Sequence, residues 1–206
     1  MMPNTNRKKV IVFIDGNNLF HRMWDFYREQ IDIPLLAETL SGAFRELKQI
    51  RYYYSPFVRE VNSHLASVQQ AYVHGFEKDS RVHIGRGKYI KSQMLLKKEV
   101  KERLKNDIRP GDLAGYVEKG VDVHIAVEMI GLGLKKEYDT AILISTDSDF
   151  VPVVSYLQSE KIKIQVAAFQ DGDHSCFDLK NHCKSFINLH HYVPAILRKQ
   201  KSRPLS

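Results

Sequence analysis

Two stretches of the same design, far apart in the chain, constrain it most: Val10-Ile11-Val12-Phe13-Ile14-Asp15 near the start, and Ala141-Ile142-Leu143-Ile144-Ser145-Thr146-Asp147-Ser148-Asp149 late on. Each is a continuous apolar run that ends in carboxylate. Runs like these suit strands buried on both faces, as in a parallel sheet with helices on either side, and in open α/β sheets ligands bind beyond the carboxyl ends of such strands. Three aspartates are therefore expected to meet at one sheet edge. Without a counter-ion they repel and each desolvated charge is costly, so a divalent cation is the simplest explanation of the pattern.

A chain of 206 residues, 43% hydrophobic, is long enough for one well-buried core. The expected organisation is a single domain over residues 1–195, with a basic insertion at about 81–119 and a basic, mobile tail at 196–206. The apolar run from Val10 to Ile14 is too short for a signal-peptide core or a membrane span, so a cytoplasmic protein with no membrane partner is expected. Cys176 and Cys183 fit no CxxC or Cys/His zinc spacing and read as reduced thiols in or near a helix.

The net charge of +7 is unevenly placed. Residues 81–119 carry 11 basic and 5 acidic side chains, Arg7, Lys8 and Lys9 add three positive charges, and the tail adds four, which leaves the rest of the chain negative. An acidic centre flanked by basic segments suits a metal site whose substrate is a polyanion. Lysine runs on exposed helices can also be merely solubilising.

Local pattern fills in the order of elements. Asn18 reads as a helix cap, with a helix through Leu19, Phe20, Met23, Trp24 and Tyr27 behind it. Pro34 opens a second helix through Leu35, Leu36, Leu40, Phe44 and Leu47; residues 51–55 read as the second strand and 58–72 as a helix. Gly85-Arg86-Gly87 reads as a turn or hairpin with an arginine at its tip, followed by a charged helix over residues 95–104 and a loop at Pro110-Gly111. Val123, Ala126, Val127, Ile130 and Leu134 mark one face of an amphipathic helix over residues 122–136, with Asp122 as its N-cap. After the late strand come a helix burying Phe150, Val153, Val154 and Leu157, a strand at residues 162–169, a short helix and a last strand at 186–189. Strands alternating with helices at this spacing imply an α/β fold around a mainly parallel sheet.

Four carboxylates converge in this reading: Asp15, Asp122, Asp147 and Asp149. Mg²⁺ or Mn²⁺ takes hard oxygen ligands, one or two carboxylates per ion, with waters and phosphate oxygens completing the shell. Asp122 and Asp149 also stand where helix N-caps are expected, and a cap needs no catalytic role. Asp15 and Asp147 end buried strands and are harder to explain that way.

The blocks Phe13-Ile14-Asp15-Gly16-Asn17-Asn18, Lys119-Gly120-Val121-Asp122-Val123 and Leu143-Ile144-Ser145-Thr146-Asp147-Ser148-Asp149-Phe150 resemble, in order, the NYN domains of the PIN-like nuclease superfamily, including the LabA-like branch. The resemblance covers residues 10 to about 170. It implies a PIN-like three-layer α/β/α sandwich, a Mg²⁺ or Mn²⁺ site on Asp15, Asp122, Asp147 and Asp149, and RNA cleavage as the usual activity. It gives Asn18 an auxiliary role beside the first aspartate. Thr146 stands where the family usually has glycine, and with Ser148 it is a further auxiliary candidate. Glu128 stands where another aspartate is common, but six residues on from Asp122 it lies about 120° around the helix.

Among other candidates, Arg86, Lys88, Lys91 and Lys119 are the leading phosphate contacts. Tyr52-Tyr53-Tyr54 alternates faces in a strand and reads as core plus edge rather than a base-stacking site. His21, His124 and the His190-His191 pair lack HxxxH or HExxH spacing and read as packing or surface residues. No Walker-type loop and no GxSxG elbow is present. The reading is a metal-dependent nuclease in which water attacks the phosphate. The rivals are a nucleic-acid-binding or regulatory module with little or no turnover, and a phosphohydrolase of a small substrate. Oligomeric state stays open.

Overall fold

The computed structural model describes residues 7–91, 116–170 and 176–197. Its centre is a six-stranded sheet in which every pairing is parallel: β1 (Lys8–Asp15), β2 (Arg45–Tyr54), β3 (Val82–Arg86), β6 (Thr140–Ile144), β7 (Lys163–Ala168) and β8 (Phe186–Asn188), in the order β3-β2-β1-β6-β7-β8. A separate two-stranded antiparallel ribbon joins β4 (Lys88–Lys91) to β5 (Tyr116–Lys119).

Strand parity sorts side chains to two cores. Val10, Val12 and Ile14 of β1 face one layer, built by helices α1 (Gly16–Phe26), α2 (Ile33–Ser41), α3 (Ser63–His74) and α7 (Val193–Ile196). Ile11 and Phe13 face the other, built by α4 (Val121–Leu134), α5 (Val151–Ser159) and α6 (Phe177–His182). Both strand faces are thus covered, which is why the β1 and β6 runs are apolar without alternation. This is the α/β/α sandwich expected. Because β2 and β3 lie on one side of β1 and β6, β7 and β8 on the other, the chain changes winding direction between β1 and β6. A crevice opens at such a point beyond the strand ends.

Several local expectations are corrected. The helix opened by Pro34 stops at Ser41 because Gly42 takes a left-handed φ of 72° and its N–H bonds the Glu38 carbonyl. Phe44 is therefore exposed, and β2 starts at Arg45 rather than residue 51. Its early half pairs with β1 but not with β3, so only one side of it is bonded and its burial alternates. The third helix begins at Ser63, where Asn62 caps the Leu65 N–H at 2.8 Å. Gly85-Arg86-Gly87 makes no hairpin. Residues 82–86 are the edge strand of the main sheet, and Arg86 pairs with Tyr54.

The face assigned to α4 is also wrong. Val121, Ile125 and Met129 are buried, whereas Val123 and Val127 are each 63% exposed and Leu134 is half exposed. The helix is apolar on both sides, so periodicity could not say which side packs. Tyr52, Tyr53 and Tyr54 are all buried, the outer two towards the α1 layer and Tyr53 towards α4. His190 packs among Phe26, Tyr27 and Phe169. Cys176 and Cys183 flank α6 and are not in a disulfide among the described residues. Among the described residues no helix is long and apolar enough to cross a membrane. The expected helix at 95–104, the loop at Pro110-Gly111 and the tail from residue 198 lie outside the described residues.

Candidate functional site

Asp15 closes β1 on the face that Ile11 and Phe13 share, so its carboxylate turns towards the α4 layer at the crevice. It also caps α1, a role expected of Asn18: its Oδ1 accepts the Asn18 N–H at 3.1 Å. Its Oδ2 accepts the Ser145 hydroxyl at 3.2 Å. The register makes this pairing natural, since Ile14 lies opposite Ile144 and the next residues share a face. The Ser145 Oγ in turn accepts the Asp147 N–H at 3.1 Å, so one hydroxyl joins the two acidic strand ends.

The second turn is tied to the first by Asn18. Its Nδ2 donates to Thr146 Oγ1 at 2.9 Å, and its Oδ1 accepts the Thr146 N–H at 3.2 Å. Asp147 then caps the short 3-10 turn Ser148–Phe150 through the Asp149 N–H at 2.9 Å. The cap is thus Asp147, not Asp149, which sits exposed in the turn beside the exposed Ser148. Asp122 is not a cap either. Gly120 at φ 98° takes that place, and the Asp122 carboxylate stands in the first turn of α4, where the helix dipole favours negative charge.

Electrostatics link these groups. Burial, above all, pushes Asp15 up to about 7; the charges of Asp122 and Glu118 push the same way, against the Asn18 N–H and the Ser145 hydroxyl. Asp122 is pushed up to about 6, first by desolvation and then by Asp147, Glu118 and Asp149. Asp15, Asp122, Asp147 and Asp149 therefore sense one another directly or through a shared neighbour. Among the described residues, no three His, Cys, Asp or Glu side chains already stand together as a ligand set.

Sequence reasoning missed Glu118, Ser145 and Asn17. Glu118 lies on β5 opposite Tyr89, and its carboxyl is raised by burial, with Ser55 and Asn17 pulling it back. Among the described residues, its Oε1 and the Ser55 Oγ are both closed off from solvent without a hydrogen bond of good geometry. Asn17 is buried, donates to the Tyr89 hydroxyl at 3.0 Å and lies within reach of Gln69 Nε2 at 3.5 Å, which holds the ribbon against the crevice. The parity of Asp15 and Ser145 could have found Ser145. Nothing local marks Glu118, because its approach depends on the β4–β5 pairing.

Glu128 faces away from this cluster: it accepts from Arg51 and from the Tyr53 hydroxyl, clamping α4 to β2. Of the cations, Lys88 and Lys119 stand directly opposite each other on the ribbon and Lys91 opposite Tyr116, all three lysines exposed. Arg86 is engaged with the Tyr54 side chain and Glu77 on the far side of β2.

A model of the NYN domain matches residues 9–190 of the chain. The chain belongs to the NYN domain family. An NYN domain places it in the PIN-like nuclease superfamily, and the crevice at β1 and β6 lies where all three motif blocks of the NYN resemblance converge. Among solved structures, it is similar to a protein of unknown function, VPA0982 from Vibrio parahaemolyticus RIMD 2210633. The TM-score is 0.59 at 16% identity, covering 91% of this chain and 96% of that one. At that identity the likeness is one of fold. No curated protein matches this sequence.

Proposed function

We propose that this NYN domain is a Mg²⁺- or Mn²⁺-dependent nuclease that hydrolyses phosphodiester bonds in RNA. The observation that carries the reading is geometric: Ser145 Oγ donates to the carboxylate of the buried Asp15 and accepts the Asp147 N–H, with Asp149 in the same turn as Asp147 and Asp122 in the first turn of α4 acting on Asp15 through its charge. Like charges crowded into a crevice are costly unless a cation offsets them. The donor set fits Mg²⁺ or Mn²⁺, being oxygen only. Asp15 and Asp147 are fixed by their hydrogen bonds, while Asp122 and Asp149 are exposed and can turn towards an ion at little packing cost. When bound, such an ion supplies Lewis acidity towards phosphate oxygens and lowers the pKa of water.

The chain's own residues do the rest. Asn18 and Thr146 lock the two acidic turns together, and Ser145 orients Asp15 against the Asp147 backbone. Lys88 and Lys119 are like charges directly opposite on a two-stranded ribbon, an arrangement that is unfavourable until an anion lies across it. They, with Lys91, are proposed to hold the phosphates that the carboxylates repel. Water adds to phosphorus, the bond to the leaving oxygen breaks, and the proton released ends on that oxygen.

The test is incubation with labelled single- and double-stranded RNA and DNA in Mg²⁺, Mn²⁺ or EDTA, with Asp147→Asn as control. Asparagine caps a turn as well as aspartate does, so the variant should stay folded. Cleavage of RNA with metal, none in EDTA and none by the variant is expected. Undiminished cleavage by purified Asp147→Asn protein would remove Asp147 from the mechanism, and binding without cleavage under every metal would leave a regulatory module.

A further inference from the structure

Helix α4 has two apolar sides, and the one that periodicity marks as core is left uncovered among the described residues. Val121, Ile125 and Met129 pack on the sheet, while Val123, Val127 and Leu134 are exposed and Ile130 is half buried. At about 100° per residue these last four fall within roughly 60° of one another, on the side away from the sheet. Their spacings of four, three and four are those of an a/d seam, by which one helix packs along another. An ordinary solvent face in this protein looks different: the exposed positions of α3 include His64, Ser67, Gln70 and His74. Single exposed aliphatic residues are normal on any surface, but four in register along one 14-residue helix are not.

Two further features of α4 serve nothing within the described chain. Gly131 lies one turn after Val127 and one turn before Leu134, at the edge of the seam, and a Cβ added there meets no atom within 4 Å. Glycine weakens a helix interior relative to alanine, and no close approach among the described residues requires it here. A bare backbone at that place lets a second backbone come near. The helix is also polarised along its length. Its first turn holds Asp122, on which the charges of Asp147, Glu118 and Asp149 bear, against Lys119 just before it; it ends in the exposed Lys135 and Lys136, followed by Glu137. A second α4 laid antiparallel brings the acidic end of each helix to the basic end of the other. Val123 then lies opposite the partner's Leu134, Val127 opposite the partner's Ile130, and Asp122 level with the partner's Lys135.

We propose that this face of α4 is the interface of a two-fold symmetric dimer, in which two copies of the helix pack antiparallel along Val123, Val127, Ile130 and Leu134. A two-fold interface must match itself, and the seam does so by its spacing, by the glycine beside it and by the opposite charges of its ends. Parallel pairing would set the two acidic ends side by side. The patch is of the order of a few hundred Å² per copy, which puts the dimer at the small end of specific interfaces, about 1,200 Å² in total, and makes it reversible. Because the crevice opens at the N-terminal end of α4, the arrangement brings the partner's Lys135 and Lys136 to the rim of each acidic site. The inference concerns assembly and does not depend on the nuclease reading.

Analytical ultracentrifugation of the full chain across the micromolar range should show reversible monomer–dimer exchange. Val123→Glu places an acid in the seam where the helix dipole favours one, and Leu134→Lys places a base where it favours a base, so both monomers should keep their fold, as circular dichroism melts will show. Each alone should weaken dimerisation roughly 100-fold or more, because an unpaired charge is buried twice in every dimer. Gly131→Gln, for which the monomer has room, should dissociate the dimer as well. The double variant Val123→Glu with Leu134→Lys should dimerise again, since each new acid then faces the partner's new base. Three turns apart on one helix, the two cannot reach each other within a chain, so rescue reports antiparallel pairing between copies. A parent chain that stays monomeric throughout the range, single variants that dimerise like the parent, or a double variant that stays dissociated would each overturn the proposal.

Discussion

Asp15 gives the sharpest physical test, because its ionisation in a buried position should destabilise the cation-free protein. In the unfolded chain the group titrates at 3.8, and in the folded protein at about 7. Between those values the native state keeps a proton that the unfolded state has released. Stability from this group is thus fully present below 3.8 and is lost as pH rises towards 7. At ~1.4 kcal/mol per pH unit the displacement corresponds to at most roughly 4 kcal/mol. Relaxation and water entry in real proteins reduce such penalties, so about 2 kcal/mol is expected. Asp15→Asn removes the charge and keeps an acceptor for the Asn18 N–H. In EDTA at pH 8 the variant should melt about 4–8 °C above the parent, at ~2–4 °C per kcal/mol for a chain of this size. The gap should close as pH falls to about 4. His83, which burial holds below its usual range, contributes the opposite trend but does so in both proteins and cancels in the difference. Mg²⁺ or Mn²⁺ at a hundredfold excess over its Kd should raise the parent by ~2.7 kcal/mol and the variant by much less. Circular dichroism melts from pH 4 to 8.5 measure all of this. A gap that does not change with pH, or a variant less stable at pH 8, would refute the reasoning.

Three further outcomes are expected. Gly16→Ala places a Cβ 2.4 Å from Cζ of the buried Tyr52 ring, so the urea midpoint should fall by the equivalent of ~1–3 kcal/mol. Glu128→Ala leaves Arg51 Nη1 and the Tyr53 hydroxyl without their acceptor and should cost ~1–3 kcal/mol, while activity per folded molecule is kept; selective loss of activity would make Glu128 part of the site. Replacing Lys88 and Lys119 together by alanine should flatten the dependence of log affinity on log salt by about 1–2 without lowering the melting temperature, as measured by fluorescence anisotropy and thermal melts.

The acidic strand ends show how far the sequence reaches. Apolar runs closed by Asp15 and Asp147 implied a doubly covered parallel sheet and a crevice at its carboxyl edge, because burial on both faces removes alternation and leaves a pattern that survives in one dimension. Spacing located most helices of the two layers, but not the short one at Val193–Ile196, the ends of the second and third, or the buried face of α4. Caps did not. Asp15 rather than Asn18, Gly120 rather than Asp122, and Asp147 rather than Asp149 hold those positions, since a cap is decided by one backbone angle within a turn of several polar residues.

What tertiary structure decided is everything that depends on which surface meets which. Residues 121–134 carry apolar side chains on both sides of the helix, so only the sheet beneath could choose Ile125 and Met129 over Val123 and Val127. Arg86 left its expected hairpin because β2 offered an unpaired edge for β3. Glu118 reached the acidic cluster only through the β4–β5 pairing, and Phe20, Trp24, Phe57 and Tyr89 became one surface only when three distant segments packed together. Periodicity encodes whether a side chain is buried; the identity of its neighbours is a property of the folded chain.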